Sequence, residues 1–456
     1  MYQGYLSIHG TEVFNNNRVT SYLSNGLAQS SMSVKGAICG CEYIGTGPYV
    51  TPSFDDAPWY DPSNPDSALF AGMFVESIEG FDSPWGQAGR TAVDSAILGG
   101  SLGPLRPGLR TITITGWLFG KTCCATQYGL GWITQALRNG ACKPPEPIAD
   151  CDDVCEWVQA CIDAQDRDQC GGLGTMEFYA CCPTILDDPC HELEVDETLI
   201  DHKRFMCRVG LINGPVVLNR FGSCCASCGN TAIQVQYTLA AEVPYIYQAP
   251  FEICDVTIDV NNVYECEYAC CDEDEPSPCL SNFTVPKLNT TLTGNCFCEP
   301  WGTVRGCCTL ENTSYSEEIV TQIFVYAGGG EIRNLRIAAY ELPDSVDDCD
   351  CDFFVGDNFS LAECQWKVGE ALIPWIPASG WITLDGACRK VEFTWRGQTS
   401  NGARYVSGGT SGRPTDKFPV ANPCKKLCIV AYADPNNTPA GLQMIVRGVR
   451  RGLVLA

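Results

Sequence analysis

Thirty-one cysteines in 456 residues constrain this chain more than any other feature. Cytosolic chains are kept reduced and rarely carry so much thiol, whereas oxidised extracellular chains often do. Yet the chain begins MYQGYLSIHGTEVF, with no basic n-region and no apolar h-region of the kind that directs secretion. No run approaches the roughly 18–20 apolar residues that span a bilayer, so membrane insertion is not expected. The expectation is a chain that reaches an oxidising place by another route, or one whose leader has been trimmed.

The cysteines fall into local patterns. Adjacent pairs stand at Cys123-Cys124, Cys181-Cys182, Cys224-Cys225, Cys270-Cys271 and Cys307-Cys308, and alternate pairs at Cys39/Cys41, Cys296/Cys298 and Cys349/Cys351. Neighbouring side chains on a strand point to opposite faces, so an adjacent pair reaches two partners rather than closing on itself. These residues are therefore expected to form structural disulfides that tie several segments together. The odd total leaves at least one thiol unpaired or bonded between chains. Metal is the rival reading. Cys151 and Cys155 crowd one segment and Cys225-x-x-Cys228 forms a lone pair, as candidates for zinc or an iron–sulfur cluster. No second Cys-x-x-Cys lies at zinc-ribbon distance, and only His9, His191 and His202 offer nitrogen. No cofactor is expected.

Apolar content of 45% gives the chain ample core without disulfides, and its length suits two to three domains of about 150 residues. Abundant glycine, proline and aromatic residues point to β-structure with many turns. The fold class expected is mainly β. An α+β region over 1–250 carries strands at 72–81, 110–120, 204–212 and 231–241, a helix over 126–139 capped by Thr126, and a cysteine-rich insertion at about 141–190. Residues 251–312, acidic and broken by prolines, read as a stapled connector. Regular strand–turn spacing over 313–456 predicts a β-sandwich.

A net charge of −25 excludes a nucleic-acid grip, which needs a basic footprint. It permits a surface past which DNA slides without sticking, although acidity that merely keeps an assembly soluble is the simpler reading. Catalytic motifs fail on spacing. Three residues separate Gly116 from Gly120-Lys121-Thr122, where a phosphate-binding loop needs four. His191-Glu192 has no second histidine one turn on, and no carboxylate pair stands out. An enzyme is not expected, and no catalytic residue is named.

Two stretches carry a resemblance. RFMCRVGLINGPVVLNRF with AIQVQYTLAAEVPYIY, within 204–247, and the preceding TITITGWLFGKTCCATQYGLGWITQALRNGAC resemble the N-terminal domain of siphophage distal tail proteins, in the cysteine-bearing variant of actinobacteriophage minor tail proteins. DDAPWYDPSNPDSALFAGMFVESIEGFDSP (55–84) is similar to the same minor tail proteins. VYAGGGEIRNLRIAAYE and IPWIPASGWITLDGACRKV resemble their C-terminal sandwich, which is galectin-like or like a carbohydrate-binding module. The cysteine-rich insertion and connector depart from the simpler members of the family.

The resemblance implies a structural protein of the virion: a homohexameric ring at the tail tip, joining the tail tube protein to the tape-measure and tail-hub proteins, with a lumen through which DNA passes without specific binding. It also implies assembly in a bacterial cytoplasm and oxidation after lysis. The glycine-rich stretch 83–109 and the Trp59-Tyr60 loop are then candidate inter-subunit arms. Arg204, Arg208 and Arg220 are candidates for pairing with acidic neighbours. One alternative is binding of host-surface glycan by Trp375, Trp381 and Trp395, although such tryptophans are more often sandwich core. Another is a secreted cysteine-rich adhesion protein.

Overall fold

The computed structural model describes residues 4–8, 10–27, 44, 47–81, 92–94, 100–102, 108–139, 173–180, 202–222, 231–264, 268–269, 297–298, 303–314, 317–343, 346, 349–354, 358–359, 362–403, 406–408, 413–414 and 419–452. The fold is mainly β, built from antiparallel sheets with two α-helices among the described residues. It divides into two compact units, Met1–Ala249 with Gly452–Ala456, and Pro250–Arg451.

The first unit is built on a large antiparallel sheet. Its strands run in the order Thr11–Asn15, Tyr5–Ile8, Gly174–Tyr179, Lys203–Phe221, Thr231–Ala241, Arg110–Gly120 and Phe70–Glu79. Alternation sets its core. In 231–241, Ile233, Val235, Tyr237 and Leu239 face inward and are buried, while the residues between them are half-covered. The outer strand 70–79 meets a side chain where another strand would pair. Asn16 accepts from Val75 N at 2.7 Å and donates to Val75 O at 3.0 Å, reproducing a peptide's donor and acceptor. Asn16 itself is fully buried and follows strand 11–15, so it joins the two ends of the sheet.

Helix Asn16–Ser24 was not anticipated. Its cap is Asn15, whose side chain accepts from Asn17 N and Arg18 N, and Gly26 ends its turn at φ +84°. The second helix, Cys123–Asn139, begins three residues earlier than Thr126. The side chain at its start is Thr122, which accepts from Ala125 N at 3.0 Å, and Thr126 is buried against Thr231. The Trp59-Tyr60 loop is not an arm. Trp59 is buried edge-on against Tyr22, Phe70 and Trp132 and donates to Phe70 O, so its indole is core. Of the glycine-rich stretch, only a short hairpin (Ala92–Asp94 with Gly100–Leu102) and residues 108–109 are described.

The second unit is a sandwich. One sheet runs Phe251–Thr257, Gln443–Gly452, Glu318–Tyr326, Trp381–Asp385, Lys390–Trp395 and Gln398–Asn401. The other runs Val263–Tyr264, Thr303–Glu311, Lys426–Ala433, Ile332–Leu342, Lys367–Ile376, Ser407–Gly408 and Arg413–Pro414. Ile323, Val325, Ile382, Phe393, Met444 and Val446 of the first meet Ile337, Ala339, Ile373 and Ile429 of the second in one core. Residues 251–312 are therefore more than a connector, since they supply 251–257 to one sheet and 303–311 to the other. Their cysteines and prolines signal loops, while their strand partners lie far along the chain, as with Thr257 opposite Gln443.

Candidate functional site

In the first unit, strand Lys203–Phe221 is the longest, and its two halves differ. Residues 203–209 pair with 174–179 on one side, while 231–241 runs along the other side of 209–221. Among the described residues, no strand lies on the second side of 211–221. That half carries Ile212 at 61% exposed and Phe221 at 51%, with Val216 and Leu218 also exposed. Apolar side chains on a strand edge with unmatched backbone groups are what another chain pairs with.

The edge is held stiffly. Trp117 Nε1 donates to Glu76 at 3.0 Å, Gln234 Nε2 donates to the same carboxylate at 2.8 Å, and Asn219 Nδ2 donates to Gln234 Oε1 at 2.6 Å. This chain of bonds crosses four strands and ends on the apolar one, where Trp117 packs against Phe221 at 5.2 Å. Of the three arginines named from sequence, Arg208 pairs with Glu242 at 2.7 Å. Arg204 is buried and donates to Lys203 O. Arg220 sits opposite Ile233.

The second unit is cross-linked. Cys308, on the inner face of 303–311, bonds to Cys254 across the sandwich, while Cys307 bonds to Cys351 on the outer face. Cys349 bonds to Cys428 on the neighbouring strand. The last two bridges fasten a covering segment over the outer face of the second sheet, where Phe354, Phe359 and Ala362 pack on Tyr340, Val430 and Tyr432. Beneath it lies a buried ionic cluster. Arg336 pairs with Glu363 at 2.7 Å and also with Glu370, and Lys367 reaches Glu363 at 2.8 Å. Burial alone would raise the Glu363 carboxyl. The Arg336 guanidinium and the Lys367 ammonium outweigh burial and leave it below the ordinary carboxylate range. Tyr340 and Tyr432, fully buried, are pushed well above the usual phenol value by burial. Arg305 donates to Phe354 O at 2.6 Å and stacks on Tyr264 at 4.5 Å. Every charge in this cluster faces a charge or a ring of its own unit, which is a structural arrangement.

Cys123 and Cys207 are also disulfide-bonded. Cys124 is a correction, because it is a free, exposed thiol. It lies in the first turn of a helix, where the strand rule for adjacent pairs does not hold. Cys424 is likewise free and exposed. Cys254 and Cys428 were not singled out from sequence, since neither belongs to a local cysteine pattern. Cys151, Cys155, Cys181, Cys182, Cys224, Cys225, Cys228, Cys270 and Cys271 lie outside the described residues. Among the described residues no group of three or more His, Cys, Asp and Glu side chains is placed to hold a metal ion.

The three tryptophans are exposed rather than core, and they do not share a face. Trp375 lies opposite Arg333 in the second sheet and donates to Glu331 at 3.1 Å. Trp381 lies in the first sheet beside Tyr326. Trp395, at the end of its strand, is covered by Arg396 at 4.4 Å.

No family model matches the sequence, and no curated protein does. Among solved structures it is similar to the SPP1 Dit protein (gp 19.1), described as a paradigm of the hub adsorption apparatus in phages infecting Gram-positive bacteria. Identity is 8%, the TM-score is 0.31, and the match covers 82% of this chain and 92% of that one. A score this low leaves fold and function to be argued from this chain's own residues. No helix among the described residues is long and apolar enough to cross a membrane.

Proposed function

We propose that this chain is a non-catalytic structural protein of a phage tail tip, whose first unit closes a ring of six copies between the tail tube and the tip complex. The observation that carries the reading is the exposed apolar edge of 211–221. It falls inside the stretch whose residues resemble the distal tail proteins, and it is braced by side-chain bonds rather than left loose. A chain with a net charge of −25 does not self-associate through long-range attraction. Strand-edge pairing and apolar contact supply the association instead. The same charge suits a lumen that DNA passes without being held.

The second unit, cross-bridged by Cys254–Cys308 and covered by a segment held through Cys307–Cys351 and Cys349–Cys428, suits a particle that leaves the reducing cell. The test is sedimentation velocity on the full chain and on Leu218→Lys. The wild type is expected as an oligomer that the lysine variant dissociates into folded monomer. A wild type that stays monomeric at high concentration sinks the reading.

A further inference from the structure

The outer face of the second sheet of the second unit gathers four sulfurs in one place. The register sets Cys307 opposite Val430 and Thr309 opposite Cys428, so Cys307 and Cys428 are diagonal neighbours on one face of adjacent strands. Diagonal neighbours stand about 7–8 Å apart at Cα and closer at Cβ. Above them Asp350 is extended, which sends Cys349 and Cys351 to the same side, onto the sheet. The Cα atoms of Cys307 and Cys351 are 5.5 Å apart, and those of Cys349 and Cys428 5.4 Å. The four positions thus close a quadrilateral. Two sides are the bridges, the third is the diagonal across the sheet, and the fourth is the Cys349-Asp350-Cys351 step.

Fastening a segment by two disulfides does not require the two pairs to stand together. A tetrahedral metal site does. Zinc holds four thiolates at about 2.3 Å, which puts the sulfurs about 3.8 Å from one another. Side-chain rotation at four cysteines this close reaches that spacing without moving the strands. An all-thiolate set with tetrahedral spacing selects zinc over the harder divalent cations. The Cys254–Cys308 bridge, alone on the inner face of the same strand, has no second pair beside it and serves as the contrast.

The charge at the site gives an independent pointer. Arg305 lies two residues before Cys307, on the same face, and is buried. Its Nε donates to Thr303 Oγ1 at 3.1 Å and its Nη1 to Phe354 O at 2.6 Å, while Nη2 has no hydrogen-bond partner. Among the described residues it faces the rings of Tyr264 and Tyr432, at 4.5 and 5.3 Å, and forms no ion pair. A buried cation without an anion is costly, and zinc with four thiolates, carrying a net charge of −2, supplies the anion.

We propose that Cys307, Cys349, Cys351 and Cys428 form a tetrahedral zinc site when their two bridges are reduced. In the bridged chain the sulfurs are bonded in pairs and hold no metal. Zinc fastens the covering segment before the bridges form, keeping Glu363 over Arg336 in both states. The site does not rest on ring assembly.

The experiment reduces the full chain with a phosphine under argon. Each bridge takes up two electrons and two protons, the phosphine becomes its oxide with oxygen from water, and two thiols result. After desalting, zinc sulfate or EDTA is added, the chain is pulsed with N-ethylmaleimide, and alkylation is read peptide by peptide by mass spectrometry. Zinc binding releases the four thiol protons, and metal-bound sulfur is the poorer nucleophile. Zinc is expected to slow Cys307, Cys349, Cys351 and Cys428 together by roughly tenfold or more relative to Cys124, Cys254 and Cys308. Cobalt(II) in place of zinc should give tetrathiolate absorption that falls by one equivalent in Cys349→Ser with Cys428→Ser. It should stay at the wild-type level in Cys254→Ser with Cys308→Ser. Failure of zinc to slow all four relative to the other three overturns the proposal, whether or not the reduced chain keeps its fold. So does a Cys349→Ser, Cys428→Ser variant that binds as much cobalt as the wild type.

Discussion

Removing the bridge between the two sheets of the sandwich gives a test with a magnitude attached. Cys254 and Cys308 stand 54 residues apart in sequence and close a loop in which no other described disulfide has both of its ends. Restricting the unfolded chain by a loop of that length is worth about 4 kcal/mol at 25 °C on the chain-entropy model. For a unit of some 200 residues, each kcal/mol moves the melting temperature by about 2–4 °C, which gives a fall of about 8–16 °C. Cys308 is buried, so Cys254→Ala with Cys308→Ala also loses some sulfur packing, which adds to the fall. Differential scanning calorimetry of the full chain should show one transition moving down and any transition of the first unit unmoved. The wild type in strong reductant should lose at least as much. A double variant within about 3 °C of the wild type would refute the cross-link as a source of stability.

Three further outcomes follow from the geometry. Asn16→Ala leaves the buried N–H and C=O of Val75 without partners and should cost about 2–5 kcal/mol in urea denaturation. Glu363 has a folded-state pKa below its unfolded one, so its contribution is present above the unfolded value near 4.3 and is lost as pH falls through the folded value. The difference in stability between wild type and Glu363→Gln should therefore be largest at neutral pH and shrink below about pH 4; a pH-independent gap contradicts the buried pairing. Native-state maleimide should label Cys124 and Cys424 and leave Cys254, Cys307 and Cys428 unmodified, as read by peptide mass spectrometry.

Much of the fold was legible because alternation is a local signal. Strands 110–120, 231–241 and 390–395 declare themselves by which residues are apolar, and the sandwich follows from their spacing. The sheet order was not legible, since Phe251–Thr257 finds its partner in Gln443–Gly452 only in three dimensions. Helix Asn16–Ser24 had a readable signal in Asn15 followed by Val19, Tyr22 and Leu23, but three consecutive asparagines masked it. Cysteine spacing pointed to cross-linking without giving the partners, because Cys254 and Cys428 look like ordinary strand residues. The exposed surfaces were least legible of all. Ile212 and Leu218 read as core by type, as do Trp381 and Tyr326, and only their position on an edge or an outer face sets them apart.

The central claim is assembly through the first unit, and single-particle imaging of the purified full chain tests it most directly. The account predicts closed rings of six around an open lumen, with strand 211–221 of each copy against its neighbour. Monomers, or an oligomer in which Ile212, Val216, Leu218 and Phe221 all face solvent, would contradict it.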